Sequence, residues 1–493
     1  MNQFIFSLFL GGIIIVAFYQ RIYMERNLKT EYIKKGRKTF LVEPLELPMC
    51  FITFLITLLV IGRGLRFSAA LVSWGLLFLY ISIYYIVLLL LLPLFRRFIS
   101  AWACATLWII PNMLYVTYYP IKYIAYPRLT ITVPHQWLST LIWIWAIGFV
   151  CVIVWQFISH FRYRNFLLKN AEEFTDNTIL SSWYDEAKQH GIKHKIPVML
   201  SEAISTPITI GCFDRTMRLV LPKQNYTKED FLLIFRHELR HILRADTRIK
   251  MFIGLCAATC WFNPLYWVAR SKASDDFELS CDEAVLADTD EITRWQYADL
   301  LLKNAGNSHG YTTCLSASAS SLRYRLRNIV KPTKRFSGSV VLGIAIIALH
   351  MTVGTVAVAD SSTTVQAVIN DKAPTGIAIN YVEAYKFAEN QKNCVVYGWN
   401  EELLTRYIAS LHVKQLYSGN YTYNFDDALL LVNYKEFIDG KLTRIIRFII
   451  TDKLLFVSIP YDDYGNITFL LEDEIDWSYL NTLLDFNAKN PNP

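Results

Sequence analysis

The sequence predicts a multi-pass α-helical membrane protein with one α+β domain in the cytoplasm and a second, small α+β domain outside the membrane. Three observations carry this. Hydrophobic residues make up 53% of 493 positions and charged residues only 18%, too apolar for a soluble enzyme and too long for one core. Several apolar stretches approach the length needed to cross roughly 30 Å of hydrocarbon. Charge is also segregated: from Asp360 onward 18 acidic residues face 11 basic ones, whereas the whole chain is +7. That split satisfies the positive-inside rule and needs no nucleic-acid partner to explain it.

The elements follow in order. The stretch 4–19 lacks a basic start and a small-residue cleavage site, so it reads as a retained anchor. Basic residues from Arg21 to Lys38 come next, then spans 47–61 and 69–95, the latter closed by Arg96 and Arg97. Both basic segments belong in the cytoplasm. Spans 99–118 and 137–158 complete an N-terminal membrane domain of about five spans over 1–159. A cytoplasmic domain over 160–336 starts at Arg162, Arg164 and Lys169 and ends in Arg323, Arg325, Arg327, Lys331, Lys334 and Arg335. A last transmembrane helix, 337–359, leads to an extracytoplasmic domain over 360–493, a candidate sensor. Nine cysteines stand mostly alone in apolar runs, and Cys394 has no partner after Asp360, so no disulfide framework is implied.

The cytoplasmic segment contains FRHELRHILRAD. Thr227-Lys228-Glu229-Asp230 has the form of a capping box, so a helix begins near Lys228 and runs through the histidines. At 3.6 residues per turn His237 and His241 share a face, with Glu238 beside them. Two neutral imidazoles so placed can hold one Zn²⁺ while the glutamate serves as general base. A catalytic zinc usually takes a third protein ligand. Downstream, DDFELSCDEAVLAD places Glu278 and Asp282 one turn apart. Glu278 can complete the ligand set, and Asp282 can accept a hydrogen bond from the far ring nitrogen of His237. Between the two halves lies an apolar stretch, 251–269. If it crossed the membrane, Glu278 would stand opposite the histidines, so it reads as a helical hairpin broken at Asn263-Pro264.

HELRHILRADTRIK, CWFNPLYWVARSKASDDFELSCDEAVLA, QYADLLLKNA and LRYRLRNIVK together resemble the M56 metallopeptidases, the BlaR/MecR type of membrane sensor-protease, over about 201–331. The resemblance implies a zincin (gluzincin-like) α+β fold. It implies zinc at His237, His241 and Glu278, one ion per chain, with Glu238 as catalyst and Asp282 orienting a ligating histidine. Asp246 matches a family position without a settled role. TPITIGCFDRTMRLVLP resembles the family's edge strand, although the proline often found after the glycine is missing. The resemblance further implies a membrane zinc metalloendopeptidase and signal transducer, with an outside ligand, a cytoplasmic protein substrate such as a transcriptional repressor, self-cleavage, and a role in antibiotic response; a homodimer is possible. Its penicillin-binding signature is absent: no serine after Asp360 is followed by lysine at the third position, so the chain should not be acylated by penicillin.

The outer domain reads as an antiparallel sheet with helices on one face: a helix over 401–416, strands in ALLLVNY, LTRIIRFII, LLFVSIP and YGNITFLLED, and a terminal helix over 477–486. Tyr417, Tyr421, Tyr423, Tyr461 and Tyr464 are candidate ligand contacts there, weighed against ordinary strand propensity. Three rivals stand beside the leading function. A CAAX- or HtpX-type membrane zinc protease would process proteins without a dedicated sensor. A site-2-type protease would need its motif inside a span, against Arg236, Arg240 and Arg244. A non-enzymatic receptor would keep the fold with an inactive site.

Overall fold

The computed structural model describes residues 65–486 except 118–125, 170, 193, 212–214, 245, 288, 306–318, 332–334, 353–354, 373–376, 386–393, 418–420, 422, 424–427, 439–440 and 459–465. The expected spans 4–19 and 47–61, together with Tyr461 and Tyr464, lie outside the described residues.

Helix α1 (Leu65–Phe98) ends on Arg96 and Arg97. It buries Leu76, Tyr80, Leu88 and Leu92 on one face while Ile83, Val87, Leu90 and Leu94 stay exposed on the other. A helix apolar on both faces suits hydrocarbon rather than water. The stretch expected as one span over 99–118 is instead broken. Ser100 caps α2 (Ala101–Leu107), and Pro111 opens a 3-10 turn, Ile110–Met113, before a last turn, Leu114–Thr117. Proline cannot donate into a continuing helix, which is the reason for the break. Strand β1 (Leu129–Thr132) precedes α3 (His135–Lys169), a single 35-residue helix. The boundary expected at 159/160 therefore falls inside a continuous helix. Gly75–Phe98 and His135–Lys169 are the two helices among the described residues long and apolar enough to cross a membrane.

Next come β2 (Glu172–Glu173), α4 (Asn177–Gln189), β3 (Val198–Ser201), β4 (Ile208–Ile210) and β5 (Arg218–Pro222). The strands form one sheet in the order β2-β3-β5-β4, so β4 is an edge. Gly211, directly after β4, has φ +104, and a Cβ there would meet the Thr216 carbonyl oxygen at 2.4 Å. Only glycine makes that turn without strain. Helix α5 (Lys228–Arg244) starts as its sequence predicts: the Asp230 amide donates to the Thr227 hydroxyl, and the Thr227 amide donates to the Asp230 carboxylate. Its apolar face, with Phe231, Ile234, Phe235 and Leu239, packs on Trp183 of α4 and on Leu219 and Leu221 of β5.

The apolar stretch 251–269 is a helical hairpin. Helix α6 (Asp246–Thr259) turns into α7 (Pro264–Val285), which is capped by the Asn263 side chain and has proline in its first turn. The hairpin tip lies among the apolar helices: Asn263 donates to the Ser82 hydroxyl, Phe262 packs edge-on to Phe78, and Trp145 of α3 donates to the Thr259 carbonyl. Helices α8 (Glu291–Ala305) and α9 (Ala319–Val330) close the motif-bearing region. The last apolar helix, α10 (Ser339–Thr352), is shorter than expected, because the chain becomes extended in β6 (Val356–Ala359), parallel to β1.

The C-terminal part runs β7 (Thr363–Thr364), α11 (Val365–Lys372), β8 (Ile377–Tyr385), β9 (Cys394–Val396), β10 (Gly398–Trp399), α12 (Glu401–Ser410), β11 (His412–Gln415), β12 (Leu429–Ile438), β13 (Lys441–Ile450), β14 (Leu454–Ser458), β15 (Asn466–Leu471) and α13 (Trp477–Leu483). Eight strands form an antiparallel sheet ordered β7-β11-β15-β14-β13-β12-β8-β9, with α11, α12 and α13 on one face. The helix expected over 401–416 stops at Ser410 and gives way to β11, because Val413 is drawn into the sheet core opposite Leu471.

Candidate metal centre

Helix α5 carries His237 and His241 one turn apart, and α7 brings Glu278 against them. The two Nε2 atoms lie 3.1 Å apart, and Glu278 Oε2 lies 3.5 Å from His237 Nε2 and 3.6 Å from His241 Nε2. A tetrahedral ion with bonds of about 2.0–2.1 Å sets its ligands roughly 3.3 Å apart, the spacing this trio brackets.

The hydrogen bonds behind the imidazoles settle which atoms face inward. His241 Nδ1 donates to Asp246 Oδ2 at 2.6 Å, and Asp246 is held in turn by two guanidinium nitrogens of Arg244. On the other side Tyr297 donates its one hydroxyl proton to Asp282 Oδ1 at 2.6 Å, so it must accept from His237 Nδ1, 2.8 Å away. Arg325 fixes Asp282 with two bonds of 2.7 Å. When both rings are neutral, they carry their proton on Nδ1 and aim bare Nε2 lone pairs at each other and at a carboxylate oxygen. Converging lone pairs without a proton between them repel, and a cation at their centre removes the conflict.

Electrostatics show the same demand for positive charge at the centre: with no cation there, protons on the rings turn toward Glu278. Burial pushes the Glu278 carboxyl up, but His241, hydrogen bonds from both histidines and Lys250 outweigh it and hold the group well below the usual carboxylate range. Burial lowers His241, yet Cys281, Glu278 and the Asp246 hydrogen bond overcome this and draw positive charge onto the ring. Nitrogen, nitrogen and carboxylate oxygen are donors that zinc accepts. A second grouping, His241, Asp246 and Cys281, also lies within ligand range. It fits less well, since it would use the Nδ1 atom and the carboxylate already committed to each other and to Arg244.

Glu238, next to His237 on α5, is 5% exposed. The Thr209 hydroxyl, on edge strand β4, donates to its Oε2 at 2.7 Å. The structure thus brings together His237, His241, Glu278 and Asp282, and places Glu238 next to His237 on the same helix, bonded to Thr209. One expectation changes: Asp282 stands 3.5 Å from His237 Nδ1 and acts through the Tyr297 hydroxyl wedged between them. A direct carboxylate contact goes to the other histidine, from Asp246. Thr209, Arg244, Tyr297 and Arg325 were not singled out for the site from sequence. The only signal was that all four fall in stretches that carry the family resemblance: Thr209 in TPITIGCFDRTMRLVLP, Arg244 in HELRHILRADTRIK, Tyr297 in QYADLLLKNA and Arg325 in LRYRLRNIVK.

A family model described as BlaR1 peptidase M56 matches residues 127–330. Over those residues the chain is similar to the M56 peptidases of the BlaR/MecR type. The region matched holds every residue of the site. Regulatory protein BlaR1 of Bacillus licheniformis is 27% identical over 184 residues, 37% of this chain and 30% of that protein. The Methicillin resistance mecR1 protein of Staphylococcus aureus is 22% identical over 168 residues, 32% of this chain and 28% of that protein. The alignments therefore span under a third of the length of these relatives. The M56 match extends upstream to include β1 and α3, so the long apolar helix and the catalytic sheet fall within one family unit.

Proposed function

We propose that the protein is a membrane-embedded zinc metalloendopeptidase that transduces an outside signal by hydrolysing peptide bonds in a cytoplasmic regulator, such as a transcriptional repressor, or in itself. The observation that carries this reading is the convergence of two imidazole nitrogens and one carboxylate oxygen, with a buried glutamate next to His237 in the chain. His237, His241 and Glu278 would hold the zinc, which when bound supplies Lewis acidity toward water and the scissile carbonyl. Glu238 takes a proton from the attacking water and returns it to the leaving amine. Thr209 holds one oxygen of Glu238, leaving the other for that proton. The outer side of β4 has no strand partner among the described residues, so a substrate segment can pair there in extended form.

In this reading α1 and α3 cross the membrane, α10 continued by the extended chain into β6 leads back out, the M56 domain faces the cytoplasm, and the C-terminal sheet lies outside. The path of α3 supports a transducer. Its first amide, at His135, donates to Asp360 Oδ1, and His135 stacks on Tyr417, both beside the C-terminal domain. At its far end Leu167 is fully buried against Ile210 and Val220 of the catalytic sheet. Within 360–493 no serine is followed by lysine at the third position, so this part would not take up penicillin by serine acylation.

The test is a proteome-wide survey of new protein N-termini in host cells expressing wild type or Glu238→Gln. Termini present only with the wild type name the substrate. Identical termini in both, with metal still bound, would refute hydrolysis by Glu238.

A further inference from the structure

Helix α9 has one buried face and one that the described residues leave open. Ser321, Arg325 and Ile329 are buried, with Arg325 gripping Asp282 of the metal centre. Opposite them Arg323, Arg327 and Lys331 follow at intervals of four and are all exposed. None of the three makes an ion pair among the described residues. The stripe runs about 12 Å along the helix at 1.5 Å per residue.

Its surroundings are those of a membrane surface. Tyr324, on the flank of α9 next to the stripe, lies under the Arg96 guanidinium at 4.9 Å, at the basic end of α1. Five residues beyond Lys331, the Phe336 amide donates to the Phe98 carbonyl, so Lys331 is within about 17 Å of the end of α1. Phe98 and Phe336 are 53% and 76% exposed there, beside exposed Arg97. Solvated aromatic rings next to unpaired cations, at the end of an apolar helix, match an interfacial anchor rather than a water-facing surface.

We propose that the Arg323–Arg327–Lys331 stripe of α9 is a docking site for the phosphate headgroups of anionic lipids, with Phe98 and Phe336 seated among the acyl chains. The proposal rests on the sidedness given above, not on catalysis. The charges are complementary, and the exposed rings favour lipid over an acidic protein segment. The inner face of the same helix carries the Arg325 clamp, so lipid on the outer face seats a helix that holds the metal centre.

The test uses the full-length protein reconstituted in equimolar phosphatidylglycerol and phosphatidylcholine, released into native mass spectrometry, with retained lipids counted. Wild type should keep phosphatidylglycerol preferentially. Removing one such cation costs roughly fivefold in affinity, so Arg323→Gln/Arg327→Gln/Lys331→Gln should weaken retention on the order of 100-fold. Arg406→Gln, which alters an exposed cation of the C-terminal domain, should leave it unchanged. Equal retention by wild type and the triple variant, or no preference for phosphatidylglycerol in wild type, overturns the proposal. Because lipid retention does not depend on turnover, a failed cleavage assay with intact lipid preference would count against the protease reading alone. An unchanged far-ultraviolet circular dichroism spectrum of the triple variant separates lost binding from lost folding.

Discussion

At the level of single residues the site is built from two unequal supports. His241 leans on a carboxylate pinned by arginine, whereas His237 leans on a phenol. Tyr297→Phe removes the acceptor for His237 Nδ1 and lets the ring turn. Partners of this kind are worth 10–100-fold in metal affinity, and a competition titration against a chelator should show a loss in that range. If Tyr297→Phe bound zinc like wild type, Asp282 would be supporting His237 directly. Thr209 provides a separate handle. Thr209→Val keeps the shape and deletes one charge-assisted hydrogen bond to Glu238, so kcat should drop by about tenfold or more with zinc content and KM nearly constant, while Thr209→Ser restores it. A Thr209→Val effect confined to KM would show that Thr209 touches substrate instead. The histidine pair and both downstream acids were legible because their spacing is itself the chemistry. Thr209, Tyr297 and Arg325 were not: their partners lie 29, 60 and 43 residues away, and a threonine, tyrosine or arginine in a helix or strand carries no periodic mark of such a bond.

At the level of elements, capping and breaking residues located the catalytic helix and the hairpin well. Thr227 and Asp230 start α5, and Asn263-Pro264 starts α7, as their side chains dictate. Sequence failed where apolar content hid a break or an extension. The run 99–118 looks continuous, yet Pro111 divides it; α3 looks like a span ending near 158, yet continues to Lys169 because Leu167 has a pocket under the sheet. The β4 edge depends on Gly211. Gly211→Ala forces a side chain into the left-handed region and against the Thr216 carbonyl, costing at least about 1–2 kcal/mol locally. Hydrogen exchange should speed up in 208–220 and Glu238 should lose its Thr209 bond, with activity reduced accordingly. Unchanged exchange there would mean the turn can relax at no cost.

For the molecule as a whole, the apolar helix α3 runs from the sheet of the M56-matched region to a C-terminal sheet that is larger than its sequence suggested. Short strands such as β7 and β9 carry too few residues to show alternation, which is why eight strands were read as fewer. The tyrosines expected to line a ligand surface divide: Tyr417 packs at the start of α3, whereas Tyr421 and Tyr423 lie on the sheet face away from the helices. The acids at the end of β15 are likewise occupied, Glu472 by Lys414 and Asp473 by His412. Lacking an acylatable serine-lysine pair, the intact protein should remain unlabelled by a fluorescent penicillin, and covalent labelling would reassign its signal.

The central claim is the metal and its three ligands, and X-ray absorption at the zinc edge on purified full-length protein tests it most directly. The account predicts one zinc per chain with only nitrogen and oxygen neighbours at about 2.0–2.2 Å, among them two imidazoles. A sulfur neighbour at about 2.3 Å would place Cys281 on the metal and move the site to His241 and Asp246, and protein purified without zinc would contradict the account altogether.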